Sequence, residues 1–190
     1  MTAEDVSLIG RVVSKLRHPP TYAERGVHGS ILIAAAGSYG VGARSPDDLT
    51  QPTGFDPEAA RLFEAIVESA YLVANADGDF DMTERETFEH VVLTACEGKV
   101  AERQISALLE DLQEQLSEDG LEKRVQMVAR SISKPEHARE ILRVAALLAH
   151  ISGGVSAIER STLERLAGEL KLEVSAIDQA LAEASQALSE

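Results

Sequence analysis

The sequence predicts an all-α protein, and three observations carry this prediction. Aromatic residues make up only 4% of the 190-residue chain, and tryptophan is absent. Ala, Leu, Glu and Arg, which favour helices over sheets, dominate the second half. From Asp56 onward, apolar residues recur at helical spacing between capping residues and glycines. We therefore expect a compact bundle of about seven helices with short connections.

The first 55 residues do not follow this pattern. They begin with an amphipathic stretch that predicts one short helix, ended by Pro19 and Pro20. Six glycines and two prolines between residues 26 and 54 then predict an irregular extension. We divide the chain into residues 1–55, an N-terminal helix with a Gly/Pro-rich extension, and residues 56–190, a helical domain that we expect to fold alone.

Residues 28–43 lie inside this extension and carry no Asp, Glu, Lys or Arg. The stretch is shorter than the roughly 20 apolar residues that a membrane-spanning helix needs. Three interpretations stay open: a peptide packed on the domain, a docking segment for a protein partner or a membrane surface, and a β-strand.

The helices after residue 55 are predicted from the residues at their starts and ends. Asp56 followed by Pro57 is typical of an N-cap and first helical turn, and Ser156 and Ser175 are further N-cap residues. Glycines mark helix ends: we expect the first of these helices to end near Gly78 and later ones at Gly98 and Gly120. The seven predicted helices begin near Asp56, Asp81, Ile105, Leu121, Pro135, Ser156 and Ser175.

The charge of the chain excludes one class of partner. Acidic residues outnumber Lys and Arg by 32 to 18, which gives a formal net charge of -14. Such a chain repels a phosphate backbone, so we exclude nucleic-acid binding. Six acidic residues lie between Glu110 and Glu122. We interpret them as a solvated helix face or, alternatively, as a docking surface for a basic partner.

Cysteine content and the N-terminal residues indicate the compartment. The single cysteine, Cys96, cannot form an intramolecular disulfide, and we interpret it as a small core residue. Residues 1–10 lack a basic segment followed by an apolar one, as a secretory signal would have. We therefore expect a reducing, cytoplasmic setting.

An internal repeat emerges when the sequence is shifted by 75 positions. Nine identities without a gap then align residues 66–89 with residues 141–164. Shared helix physics explains some of them, but the matches Arg85/Arg160 and Thr87/Thr162 are less easily explained in that way. The pattern predicts a duplicated helical hairpin.

The loops of the two predicted hairpins differ in charge. The first loop contains four carboxylates within eight residues: Asp77, Asp79, Asp81 and Glu84. At the corresponding positions the second loop has Ser152, Gly154 and Ser156, and it keeps only Glu159. Crowded carboxylates favour a raised pKa or a hard cation with oxygen ligands. We therefore predict a divalent cation site at the first loop, with the identity of the metal open.

Two other interpretations apply to the same loop. The EF-hand template fails, because Met82 and Phe88 stand where it needs glycine and a bidentate glutamate. In the capping interpretation, Asp81 caps the following helix and Glu84 reaches back to form a capping box, as Ser156 and Glu159 do in the second hairpin. Capping does not require Asp77 or Asp79, so the cation interpretation stays open beside it.

The segment Ala74-Asn75-Ala76-Asp77-Gly78, followed by Glu84, resembles the tellurite-resistance TerB family. The second hairpin is similar to that family's second half in degraded form, and the resemblance covers roughly residues 57–186. It implies a pseudo-symmetric all-helical domain without known catalysis, found in tellurite and other stress-response systems, in membrane-linked complexes and beside chaperone-like modules. It also implies metal-binding acids at Asp77 and Glu84, whereas Ser152 departs from the expected acid.

These observations lead to one expected function and two alternatives. We expect a non-enzymatic adaptor with protein partners, able to join a membrane-associated complex through its N-terminal extension and to bind a divalent cation at the acidic loop. The first alternative is a metal-responsive regulatory sensor. The second is a metal-dependent hydrolase, for which the sequence offers neither a nucleophile nor an oxyanion device.

Overall fold

The computed structural model describes residues 3–19, 30–41, 55–78, 80–152 and 154–189. Within these ranges the chain forms α-helices and no strand, which confirms the all-α class. The helices are α1 (Ala3–Arg17), α2 (Ile31–Val41), α3 (Pro57–Ala74), α4 (Met82–Ala95), α5 (Glu102–Asp119), α6 (Leu121–Ser131), α7 (Pro135–Ala149), α8 (Ala157–Glu169) and α9 (Val174–Ser189).

Helices α3 to α9 correspond to the seven helices predicted after residue 55. The Asp56 carboxylate accepts the backbone N–H groups of Glu58 and Ala59, at 2.9 and 3.3 Å, and so caps α3 as predicted. Two boundaries differ. Helix α3 ends at Ala74, and the turn that follows places Gly78 at a φ of +83°, outside the helix. Helix α9 begins at Val174, so Ser175 lies inside the helix and the prediction that it is the N-cap is wrong.

Helix α2 corrects the expectation of an irregular extension. Residues 31–41 are helical despite Gly37 and Gly40, so the strand interpretation is wrong for them. Leu32, Ala35 and Ala36 are buried where α2 packs along α3, because tertiary burial outweighs the poor helix propensity of glycine. No described helix has both the length and the apolar character that crossing a membrane requires. The parts of the extension at 20–29 and 42–54 lie outside the described residues.

The core is built around α3 and α7, which pack against each other more extensively than any other pair of described helices. Their fully buried side chains include Phe63 and Ile66 of α3 and Ile141 of α7. Val12 and Leu16 of α1 belong to the same hydrophobic cluster and are 0% exposed. The division at residue 56 therefore separates segments that share one core, and the independent folding of residues 56–190 stays a prediction.

A buried arginine connects three of these helices. Arg143 of α7 is 0% exposed, and its guanidinium donates to both carboxylate oxygens of Glu140 at 2.8 and 3.0 Å and to Glu183 of α9 at 2.8 Å. It also donates to the carbonyl oxygens of Lys15 and His18, at 3.1 and 3.3 Å, at the end of α1. Burial alone would lower the pKa of Arg143, but the two carboxylates hold this pKa above its ordinary value. Arg143 is therefore a fully bonded buried cation.

We predict that Arg143→Met destabilises the protein by about 3–5 kcal/mol, because it leaves the buried carboxylate of Glu140 and the mostly buried carboxylate of Glu183 without their cation. Urea unfolding followed by circular dichroism measures the change. The matched control is Arg130→Met, at an exposed position of α6, with an expected change within about 0.5 kcal/mol. Adding Glu140→Gln and Glu183→Gln to Arg143→Met should recover part of the loss. Equal stability of Arg143→Met and the control would contradict this account.

Glycine is required at position 40 by a close approach between α2 and the loop after α4. A Cβ atom built on Gly40 would lie 1.8 Å from the carbonyl oxygen of Lys99, a backbone atom. We predict that Gly40→Ala costs about 1–3 kcal/mol through overpacking. Gly168→Ala in α8 is the control, because its Cβ meets nothing within 4 Å and should stabilise the helix by up to about 1 kcal/mol. Thermal unfolding that shifts both variants in the same direction would refute the close approach.

Candidate functional site

The acidic loop joins α3 to α4 and is the site that the sequence singled out. Asp77 and Asp81 are exposed, and Glu84 is partly buried in the first turn of α4. Asp79, the remaining predicted ligand, lies outside the described residues. The structure thus places two of the four predicted cation ligands on the connection and a third in the first turn of α4.

Two of these carboxylates form a capping box. The Asp81 side chain accepts the backbone N–H of Glu84 at 2.9 Å, and the Glu84 carboxylate accepts the backbone N–H of Asp81 at 3.1 Å. This confirms the capping interpretation and accounts for both residue types at this spacing. The bonds use Oδ1 of Asp81 and Oε2 of Glu84, so the other oxygen of each carboxylate is not part of the capping box.

The second hairpin repeats this device 75 positions later. The Ser156 hydroxyl accepts the backbone N–H of Glu159 at 3.1 Å, and Glu159 accepts the backbone N–H of Ser156 at 2.7 Å. Here Glu159 is buried, whereas Glu84 is partly exposed. The capping geometry is therefore common to both loops, while the surplus of carboxylates belongs to the first loop alone.

An aromatic cluster fixes the acidic loop to the core. The Phe80 ring lies edge-on to Tyr71 and Phe88, with centroid distances of 5.5 and 6.0 Å. The Tyr71 hydroxyl accepts the side-chain N–H of Asn75 at 3.2 Å, where α3 ends. Burial raises the pKa of Tyr71, although Arg85 and Asn75 act in the opposite direction. Phe80 therefore anchors the middle of the loop, next to the position of Asp79 in the chain.

The donor set suits a hard cation but is incomplete in the described residues. Carboxylate oxygens are the ligands that Ca²⁺ and Mg²⁺ prefer. Among the residues that the structure describes, no three His, Cys, Asp or Glu side chains converge closely enough to hold a metal ion. A four-carboxylate site would need Asp79 together with the oxygens of Asp81 and Glu84 that lie outside the capping box. The cation site stays a prediction.

Cys96 and His150 carry reactive side chains and have structural roles. Cys96 is 0% exposed, and burial raises the pKa of its thiol to about 12, so the nucleophilic thiolate is scarce at neutral pH. This confirms Cys96 as a core residue. His150 is buried in the position that corresponds to Asn75, and its Nδ1 lies 2.9 Å from the carbonyl oxygen of Ala146. It therefore ends α7 much as Asn75 ends α3.

Sequence reasoning missed two features of the surface and core. Arg143 gave no signal of burial, since charged residues at helical spacing normally face solvent. A groove of about 410 Å³ beside Arg17 and Lys99 joins α1, α2 and the loop after α4, residues that are distant in sequence. No local pattern predicts such a groove, because it exists only once the helices pack.

Comparisons of this chain with protein-family models, with curated proteins and with solved structures find no match. The resemblance carried by residues 74–78 and Glu84 therefore stays a prediction from the sequence.

Proposed function

We propose that the chain is a non-enzymatic interaction module that binds a basic protein partner through the acidic face of α5. One observation carries this proposal: four acidic residues lie exposed on one side of α5, opposite its buried leucines, and within the described residues no Lys or Arg forms an ion pair with them. These residues, the acidic face of α5, are Glu110, Asp111, Glu114 and Glu118. Unpaired like charges on a rigid helix attract and orient a partner of opposite charge.

Negative charge extends from this face toward Glu64 of α3. Burial raises the pKa of Glu64 in α3; Arg61 lowers this pKa and Asp111 raises it. Burial likewise raises the pKa of Tyr39 in α2, and Glu64 and Asp111 raise it further. Glu64 and Asp111 are therefore close enough to repel each other, while the Tyr39 phenol stays neutral at neutral pH. A cationic side chain placed near these two carboxylates would relieve their repulsion.

The two capping boxes support a second part of the proposal, that the chain is a TerB-like module with a duplicated helical hairpin. Helices α4 and α8 begin 75 positions apart with the same reciprocal cap, as a duplicated hairpin would. Together with the motif at residues 74–78, this favours a TerB-like module. By that resemblance, the module would act in the cytoplasm in a stress-response system, or in a membrane-associated complex joined through the N-terminal extension.

The partner surface is tested by neutralising it. The variant carries Glu110→Gln, Asp111→Asn, Glu114→Gln and Glu118→Gln. The control removes the same charge from exposed acids elsewhere, with Glu86→Gln, Glu136→Gln, Glu169→Gln and Glu173→Gln. With about 0.5 kcal/mol lost for each exposed pair, we expect the α5 variant to bind its partner about 30-fold more weakly. The control should bind as the unaltered chain does.

The measurement is affinity capture from cell extract with quantitative mass spectrometry, followed by titration of the captured protein against the three chains. The captured protein should be basic, and its binding should weaken as salt is raised. A partner that binds the α5 variant and the unaltered chain equally well would contradict the proposal, as would capture that salt does not affect.

We also propose that the acidic loop binds a divalent cation, because the capping box leaves one oxygen on each of Asp81 and Glu84 for a ligand role. Asp77 and Asp79 would complete the set. If binding moved the loop, the same site would make the protein a metal-responsive sensor. A metal-dependent hydrolase would also need a nucleophile, and the buried thiol of Cys96 does not supply one.

Calorimetric titration with calcium, magnesium, manganese and zinc tests the cation site. At ten times its Kd, a bound cation should raise the melting temperature by about 4 °C through mass action. Asp77→Asn combined with Asp79→Asn should abolish this rise, whereas the control pair Glu169→Gln and Glu173→Gln should retain it. An unaltered chain that gives no heat above dilution and no change in melting temperature with any of the four metals has no cation site at this loop.

A further inference from the structure

A groove of about 410 Å³ lies between the end of α1, one side of α2 and the loop after α4. It shares no residue with the acidic loop or with the acidic face of α5. Its wall combines two cations and one carboxylate with small and apolar side chains: Arg17, Lys99, Glu97, Ile33, Ala34 and Gly37. A volume of this size suits a small molecule with a charged group and an apolar part.

Arg17 brings an incompletely bonded cation to this groove. Its Nη2 donates to the carbonyl oxygen of Thr94 at 2.6 Å, which fixes the guanidinium at the end of α4. Its Nε is buried and finds no hydrogen-bond acceptor among the described residues. Glu97 Oε1 lies 3.5 Å from this nitrogen but does not accept a hydrogen bond from it. A buried donor without an acceptor is costly, so Arg17 favours an added anion.

Lys99 reaches the same groove where its stem passes α2 at Gly37. A Cβ at Gly37 would lie 3.7 Å from Lys99 Cδ, which is ordinary van der Waals contact. The apolar stem of Lys99, which carries its ammonium group, lines the groove together with Ile33 and Ala34. Positive charge and apolar surface meet here in a chain whose formal net charge is -14.

We propose that this groove binds a small amphiphilic anion, with a carboxylate or phosphate group at Arg17 and Lys99 and an apolar part against Ile33 and Ala34. Glu97 competes with the ligand, because its carboxylate already lies near Arg17. The ligand would displace this carboxylate and supply the acceptor that Arg17 Nε lacks. The inference is independent of the proposed partner surface on α5.

The probes are hexanoate, hexyl phosphate and hexylammonium, titrated against the full chain and followed by backbone amide NMR shifts of Ile33, Gly37 and Lys99. We expect hexanoate, hexyl phosphate or both to bind, and hexylammonium to cause no shift. The stronger of the two anions identifies the head group. Equal binding of hexylammonium, or no shift with either anion, would overturn the proposal.

Variants separate the roles of the charges. Lys99→Met should weaken anion binding about fivefold, as expected for loss of one partly exposed ion pair, and it leaves the bond from Arg17 to Thr94 in place. Glu97→Gln should strengthen binding by about the same factor, because it removes the competing carboxylate. The control is Arg103→Met, an exposed cation on α5 that lies outside the groove, which should change nothing. If Lys99→Met and Glu97→Gln both bind as the control does, the charged groups do not form the site.

Discussion

The architecture depends on keeping one buried cation fully bonded. Arg143 lies inside the bundle, where an unpaired guanidinium would cost several kcal/mol, so each of its partners must be held in place. Glu140 is on the same helix, but Glu183 comes from α9 and two backbone carbonyls come from the end of α1. The first and last helices therefore meet at α7, which explains why α1 belongs to the same core as the helices after residue 56.

A second buried ion pair occupies the corresponding place in the first half. Position 68 lies 75 residues before position 143, and it carries Glu68, whose Oε1 accepts from Arg124 Nε at 2.7 Å. Burial raises the pKa of Glu68, and the bond from Arg124 opposes that rise. The Glu68–Arg124 pair thus joins α3 to α6, while the contacts of Arg143 join α7 to α9 and α1. The two positions that the 75-residue shift aligns thus carry opposite charges, and in each case another helix supplies a partner.

The two hairpin loops share the capping contacts that folding requires and differ in the carboxylates that capping does not require. Both keep the reciprocal cap, because each second helix must satisfy its first backbone N–H groups whatever else the loop does. Only the first loop adds carboxylates that the cap does not use. Within this loop, Phe80 packs against Tyr71 and Phe88 and so connects the loop to the core. Asp77 and Asp79, which the cap does not use, belong to the proposed cation site.

The sequence by itself determined the class of fold, the seven helices after residue 55 and the capping boxes at Asp81 and Ser156, because caps and apolar spacing are local properties of the chain. Tertiary structure decided the rest. Helix α2 forms despite Gly37 and Gly40 because α3 covers its apolar side and glycine admits the backbone of Lys99. The burial of Arg143 and the groove beside Arg17 arise only where distant helices meet, and no local pattern encodes which helices those are.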